Sequence, residues 1–288
     1  MNLAFLIGHF PPGAFGGAEL QAEGWARRLA ARHRITVITR RDPPSQPAIE
    51  RRDGFDVVRL PVSRVPLART KSDAVRAGLL DALAEAAPAV RAAVVAKLDV
   101  VPNGIDLPDA VAPPGGRVLT VGRLIPEKGM DVVIDAVAGL QGQLTVAGAG
   151  PERERLEARA RRHGLEARFE GFVDRERLAT LLREAWVVVL AARRGEGLPN
   201  AVLEAFAEGR PVIGTPIAGV RDLIVDGVNG LIVPPGDPHA LRDALARLSH
   251  ERGLAERMGR AARETAAAYA WPRVVPRLEA ALERWAAR

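Results

Sequence analysis

Apolar residues in this chain gather into short runs, and between the runs they recur every three or four positions. Such an alternation predicts strands and helices in turn. Leu3 to Ile7 is the first run and ends at Gly8; after a loop, Ala18 to Ala31 has helical period. Ile35 to Thr39 and Phe55 to Leu60 read as further strands, and Thr70 to Leu98 as an alanine-rich helical stretch broken near Pro88. The segment Val100-Val-Pro-Asn-Gly-Ile-Asp106 and the Pro/Gly-rich Pro108 to Gly116 read as a linker.

Beyond the linker the alternation is cleaner. Strands are expected at Val118 to Val121, Leu144 to Ala147, Ala167 to Glu170, Val187 to Leu190, Pro211 to Gly214 and Gly230 to Val233, with helical segments between most of them. Leu241 to Ala287 reads as a helical tail interrupted at Gly253 and at Trp271-Pro272. The pattern predicts an α/β protein whose second half is a complete doubly wound parallel sheet. A strand-plus-helix unit takes ~30 residues, so the first half has room for about three strands plus helices. A sheet that narrow needs cover on both faces, which the Thr70 to Leu98 helices and the stripe of Trp271, Leu278, Leu282 and Trp285 are expected to supply. Any apolar patch left bare would favour a homodimer.

Composition narrows the function. Cys 0 excludes disulfides, thiolate metal sites and cysteine nucleophiles, and is compatible with a cytoplasmic location. The first residues lack a basic start and a small-residue cleavage site, so no signal peptide is expected. No apolar run reaches the ~18 residues that span a bilayer, which restricts membrane association to peripheral contact at an inner membrane face. The net charge of +6 suits anionic partners, but aromatics at 4% offer no stacking platform, and nucleic acid is not an expected partner.

Three groups of residues carry candidate chemistry. In Glu196-Gly-Leu-Pro-Asn-Ala-Val-Leu-Glu204, Pro199 suits a first helical position and the helix is expected to run through Glu204 to Glu208. A helix start presents free N–H groups that favour a phosphate. Glu204, further in, can accept ribose hydroxyls, while Glu196 in the loop can reach a sugar; the alternative is two solvated glutamates. Arg123 follows a strand ending at Gly122, and Lys128 precedes a helix near Gly129, so both fall at the carboxyl edge where α/β sheets bind ligands. A lysine before a helix opposes its dipole, and an anion would reverse that cost. Gly16-Gly17 joins the first strand to the first helix and lets the backbone approach a ligand, although no dinucleotide fingerprint is present.

Taken together, Gly16-Gly-Ala-Glu19, Val101-Pro-Asn-Gly-Ile105, Val121-Gly-Arg-Leu-Ile-Pro-Glu-Lys128, Gly148-Ala-Gly-Pro151, Gly171-Phe-Val173 and Glu196 to Glu204 with Ala205-Phe-Ala-Glu-Gly-Arg-Pro-Val212 resemble family 4 of the glycosyltransferases. The resemblance covers most of residues 1–60 and nearly all of 99–288. It implies a GT-B architecture of two Rossmann-like lobes and retaining transfer of a sugar from a nucleoside diphosphate, UDP or GDP among them. No cofactor and no metal is implied. Residues 1–107 would form the acceptor lobe, 108–270 the nucleotide-sugar lobe, and 271–288 a helix crossing back to the first. Arg123 and Lys128 would hold the diphosphate with the Gly16-Gly17 loop, and these two with Glu196 form the expected catalytic set. Glu204 would take the ribose, Glu196 with Gly197 and Leu198 the donor sugar, the backbone at Phe172 and Val173 the base, and Asn200, Ala201 and Val202 would offer N–H groups. The acceptor, whether saccharide, lipid or small molecule, is not specified.

The chain departs from the family in its first lobe. Between Leu60 and Val100 there is no histidine, whereas family members carry a His-Gly-type loop there, and His9, His33, His163, His239 and His250 fall elsewhere. The acceptor lobe therefore reads as shortened. That leaves two rivals to transfer: a module that binds a nucleotide sugar without transferring it, and a scaffold that pairs with another chain.

Overall fold

The computed structural model describes residues 1–7, 10, 17–41, 45–61, 101–140, 142–194, 199–217, 219–251 and 253–287. Its chain divides into two units, Met1–Gly104 with Val274–Arg288, and Ile105–Arg273. The Thr70 to Leu98 helices lie outside the described residues.

In the first unit, β1 (Asn2–Leu6), α1 (Gly17–Leu29), β2 (Arg34–Arg41), β3 (Ile49–Arg52) and β4 (Phe55–Pro61) follow one another. The sheet order is β1-β2-β4-β3, parallel except for the antiparallel β3–β4 pair. Four strands stand among the described residues where the apolar pattern predicts about three. The added strand, β3, reads Ile-Glu-Arg-Arg and has no apolar face to betray it. It is a charged edge strand, and it forms because Asp53 (φ 47°) and Gly54 (φ 87°) close a tight hairpin onto β4. Ala26, Leu29, Ile35, Val37, Phe55 and Val57 are buried here, with Phe10 edge-on to Phe55 at 6.0 Å between ring centroids.

The second unit holds β5 (Arg117–Val121), α2 (Met130–Ala138), β6 (Leu144–Ala147), α3 (Arg153–Arg162), β7 (Ala167–Gly171), α4 (Arg175–Glu184), β8 (Ala185–Leu190), α5 (Asn200–Ala207), β9 (Val212–Gly214), β10 (Gly230–Ile232), α6 (Pro238–His250) and α7 (Leu254–Ala267). Its six strands are all parallel in the order β10-β9-β8-β5-β6-β7. The chain starts in the middle at β5, winds outward through β6 and β7, then returns to β8 and winds the other way. That reversal makes the β5/β8 boundary the topological switch point of a doubly wound sheet.

Side chains alternate along each strand, which splits the core in two. Val118, Val146, Val187, Val189 and Ile213 face α2, α3 and α6, whereas Leu119, Val188 and Val212 face α4 and α5. Helix α7 contributes to both layers, through Leu254 and Met258 to one and Ala262 and Ala266 to the other. Helix starts are set locally, as where Asp174 accepts the Arg177 N–H and Asp237 accepts those of His239 and Ala240. Glycines bring the loops at the carboxyl edge together: a Cβ on Gly148, after β6, would stand 1.8 Å from the Gly122 carbonyl oxygen after β5.

The tail resolves into α6, α7 and α8 (Trp271–Ala286), with Gly253 capping the start of α7. Buried Trp271, Val274, Val275 and Ala281, with partly buried Leu278 and Leu282, form one stripe along α8. From Val274 onward α8 belongs to the first unit, where Glu279 pairs with Arg32 at 2.8 Å and meets His33 at 3.3 Å.

Candidate functional site

Three consecutive segments after β5 build the centre of the site. Val121 leads into Gly122, whose φ of 152° turns the chain out of the sheet, and Arg123 follows with its side chain exposed. A 3-10 turn, Pro126–Lys128, comes next, and then Gly129 and α2. Lys128 folds back over the start of this loop: its Cδ and Cε lie 3.8 and 3.9 Å from where a Cβ on Gly122 would stand. The structure thus brings Arg123 and Lys128 together at the carboxyl end of β5, beside the switch point.

The two cations act on each other. Lys128 is half-buried, and desolvation, reinforced by the positive charge of Arg123, lowers its pKa from the ordinary lysine value. Among the described residues no carboxylate forms an ion pair with Arg123. Two adjacent cations at the end of a β-strand, one of them half-buried, make a site suited to an anion.

The other side of the switch point belongs to β8 and α5. Pro199 is the N-cap residue of α5 rather than its first helical residue, with φ −77° and ψ 110°, and the helix ends at Ala207 with Glu208 as its C-cap. The N–H of Val202 donates to the Pro199 carbonyl at 3.0 Å, so this N–H closes the first helical turn. Val202 is buried, and Asn200 and Ala201 are partly exposed beside it. Glu204 is enclosed by protein, with only a little of its surface open. Desolvation pushes its pKa up, and the nearby charge of Arg175 offsets only part of that rise. Gly16, Glu196, Gly197 and Leu198 lie outside the described residues, and Gly17 begins α1 in the first unit.

At the end of β7, Gly171 turns the chain at φ 73°. Phe172 is 58% exposed, while Val173 packs against the α4/α5 side of the core. Arg175, at the start of α4, bonds Asp106 at 3.3 Å, so one arginine stands near both Asp106 and the Glu204 carboxylate. By contrast, a groove of about 380 Å³ near Trp186, Pro211 and Gly259 opens beside the amino ends of β8 and β9, away from these residues.

Sequence reasoning missed Arg193. It follows β8 and reaches back to the Pro126–Lys128 turn and to Asp131. The signal available was only its place just past the end of a strand, since its partners are 62 and 67 residues away.

A model of the family described as "Glycosyl transferases group 1" matches residues 112–265. Among curated proteins, the chain is 36% identical over 148 residues to an alpha-D-kanosaminyltransferase of Streptomyces kanamyceticus, covering 49% of this chain and 38% of that protein. It is 34% identical over 185 residues to a phosphatidyl-myo-inositol mannosyltransferase of Mycobacterium leprae, covering 59% and 49%. The chain thus spans less than half the length of either relative. Among solved structures, sucrose-phosphate synthase from Thermosynechococcus elongatus superposes with a TM-score of 0.81 at 20% identity, covering 99% of both chains. Anabaena Alr3699/HepE in complex with UDP-glucose superposes at 0.75 and 19%, covering both chains completely. At these identities the structural likeness is one of fold.

Proposed function

Because the chain belongs to the glycosyl transferases group 1 family, whose model matches more than half of it, we propose that it transfers a sugar from a nucleoside-diphosphate donor to an acceptor hydroxyl, with retention and without an obligatory metal. The observation that carries this reading is the half-buried Lys128 beside Arg123 at the switch point, two cations set together on the edge where α/β sheets bind ligands. A solved neighbour of the same fold is described in complex with UDP-glucose, which supports a nucleotide sugar as the ligand class.

In this reading the bond between the anomeric carbon and the β-phosphate oxygen breaks, and its electron pair leaves on the diphosphate. Arg123 and Lys128 stabilise that developing charge from fixed positions, a contribution worth most where water is excluded. The acceptor hydroxyl attacks on the face the phosphate leaves and gives its proton to the departing phosphate oxygen. Glu204 accepts the ribose hydroxyls, the backbone at Phe172 and Val173 faces the base, and Asn200 with Ala201 flanks the phosphate. Glu196, Gly197 and Leu198 complete the donor contacts in the same proposal.

Calorimetric titration with UDP, GDP and ADP, then with their sugars, tests the reading. One of the nucleotides should bind, and Arg123→Ala and Lys128→Ala should each weaken it by about 1.5–3 kcal/mol, the value of a lost charge-assisted contact. Unchanged affinity in the double variant would place the nucleotide elsewhere. A second reading, a module that binds the donor without transferring the sugar, draws on the missing histidine between Leu60 and Val100. Binding with neither donor hydrolysis nor transfer would favour it.

A further inference from the structure

Lys128 ends a turn of three residues, Pro126–Lys128, whose carbonyls find partners outside it. Two of its three carbonyls are taken by one residue. The Arg193 guanidinium donates through Nη1 to the Pro126 carbonyl at 2.6 Å, and the Arg193 backbone N–H donates to the Glu127 carbonyl at 2.8 Å. The same guanidinium grips Asp131, in the first turn of α2, with Nη1 to Oδ1 at 2.9 Å and Nη2 to Oδ2 at 2.8 Å. Arg193 therefore ties down the chain on both sides of Lys128. Between them, Gly129 lies so close to the end of β8 that a Cβ on it would stand 2.1 Å from the Ala191 carbonyl oxygen.

We propose that Arg193 is a positioning residue of the donor site, clamping the Pro126–Lys128 turn so that the Lys128 ammonium stays over Gly122 beside Arg123. The proposal rests on the reading of Arg123 and Lys128 as diphosphate ligands. Asp131 explains why Arg193 acts through Lys128 rather than as a third phosphate ligand, since the carboxylate holds the fork and neutralises its charge. Burial works against that carboxylate, yet the hydrogen bonds and charge of Arg193, with the N–H groups of Asp131 and Val132, keep its pKa below the ordinary value. The contacts are divided between two nitrogens of a planar fork, a spread that the single nitrogen of an ammonium does not match, so lysine is a poor substitute.

Exposed ion pairs contribute little to stability, so the effect should appear in the site rather than in the melting temperature. In a double-variant cycle read by titration with the nucleoside diphosphate that binds, Arg193→Ala should weaken affinity about 10–100-fold through misplacement of Lys128. In the Lys128→Ala background the same change should cost no more than about twofold, because little remains to be positioned. Arg193→Lys should not rescue, and Arg155→Ala, at a surface pair with Glu152, should leave affinity unchanged. Equal losses in both backgrounds would overturn the proposal, because they would mean that Arg193 touches the ligand or acts globally.

A second measurement needs no ligand. Competitive acylation of Lys128 against pH reads its titration in the free protein, where Arg123 on the β5 loop is the charged group that acts on it. Loss of the clamp should move that titration up toward an ordinary lysine, and no movement in Arg193→Ala would overturn the clamp. If no nucleotide binds the unaltered protein, the donor reading falls while the acylation profile still decides whether Arg193 positions Lys128.

Discussion

The two units solve the same problem, a parallel sheet with helices, in different currencies. In the second, β5, β6 and β8 are apolar and buried on both faces, so the sheet is fixed by hydrophobic burial in two layers. In the first, β3 and β4 interleave Arg51, Arg52, Asp56 and Arg59 with their apolar positions, and the side chain of Arg59 is fully buried. That arginine meets Glu50 at 2.7 Å, Glu50 also bonds Arg52, and Arg52 reaches Glu23 on α1. Burial is tolerant of salt and pH, whereas ion pairs are not. The comparison therefore teaches that acid or high salt should loosen the β3–β4 edge of the first sheet ahead of the buried strands of the second.

The largest expected effect comes from the tail. A chain ending at Arg273 loses the buried Val274, Val275 and Ala281 together with the Glu279 pairs to Arg32 and His33, all of which belong to the first unit. Burying a valine-sized side chain contributes about 1.5–3 kcal/mol, so the summed loss reaches about 5 kcal/mol, comparable to the whole stability of a small domain. Amide exchange should rise throughout residues 2–61 and stay slow in β5, β6 and β8. Equal acceleration in both units would mean that the second also leans on residues 274–288.

A smaller effect should separate the two kinds of sheet by pH. Desolvation alone would raise the Glu50 pKa, but its hydrogen bonds to Arg59 and Arg52, and their charges, outweigh it and hold the pKa below the ordinary value of 4.5. A carboxylate with a lowered folded pKa contributes stability that is complete above its unfolded pKa and is lost as pH falls through the folded value. Glu50→Gln should therefore cost the first unit about 1.5–3 kcal/mol at neutral pH, the value of hydrogen bonds between charged groups. In urea titrations that difference should shrink toward zero below pH 4.5. A pH-independent loss would show that shape, not charge, is what Glu50 supplies.

The same contrast explains what the sequence made legible. The second sheet could be read strand by strand because burial on both faces leaves continuous apolar runs such as Val187 to Leu190. Strand β3 could not, since its residues are charged, although Arg52-Asp53-Gly54-Phe55 carries a hairpin signal that the apolar pattern alone passes over. Arg123 and Lys128 were legible as candidates because strand ends and helix starts place them on one edge. Arg193 was not, because its role depends on pairing with Asp131 across 62 residues, a fact of topology rather than of local spacing. The desolvation of Glu204 was equally hidden, since spacing puts a carboxylate on a helix without saying what closes over it.

Glu204 gives the smallest expected effect and reverses the sign of the Glu50 case. Desolvation raises its pKa, only partly offset by Arg175, so the charged form costs stability in the folded state. For a carboxylate raised on folding, that cost is absent below the unfolded pKa, about 4.3 for glutamate, and grows as pH climbs from there through the folded value. Glu204→Gln keeps the shape and removes the titration, so it should stabilise the second unit by about 0.5–2 kcal/mol at pH 8, as relief of a strained functional position commonly does. The gain should fade on acidification below pH 4.5, where the native side chain is itself protonated. If Glu204 receives the ribose hydroxyls as proposed, the same variant should bind nucleotide more weakly while melting higher. Parallel melting curves at pH 4 and pH 8, with a nucleotide titration at pH 8, decide it. A variant that melts lower at pH 8 would show that the Glu204 carboxylate is paid for by partners it needs in the folded state, and the desolvated-site account of α5 would fail.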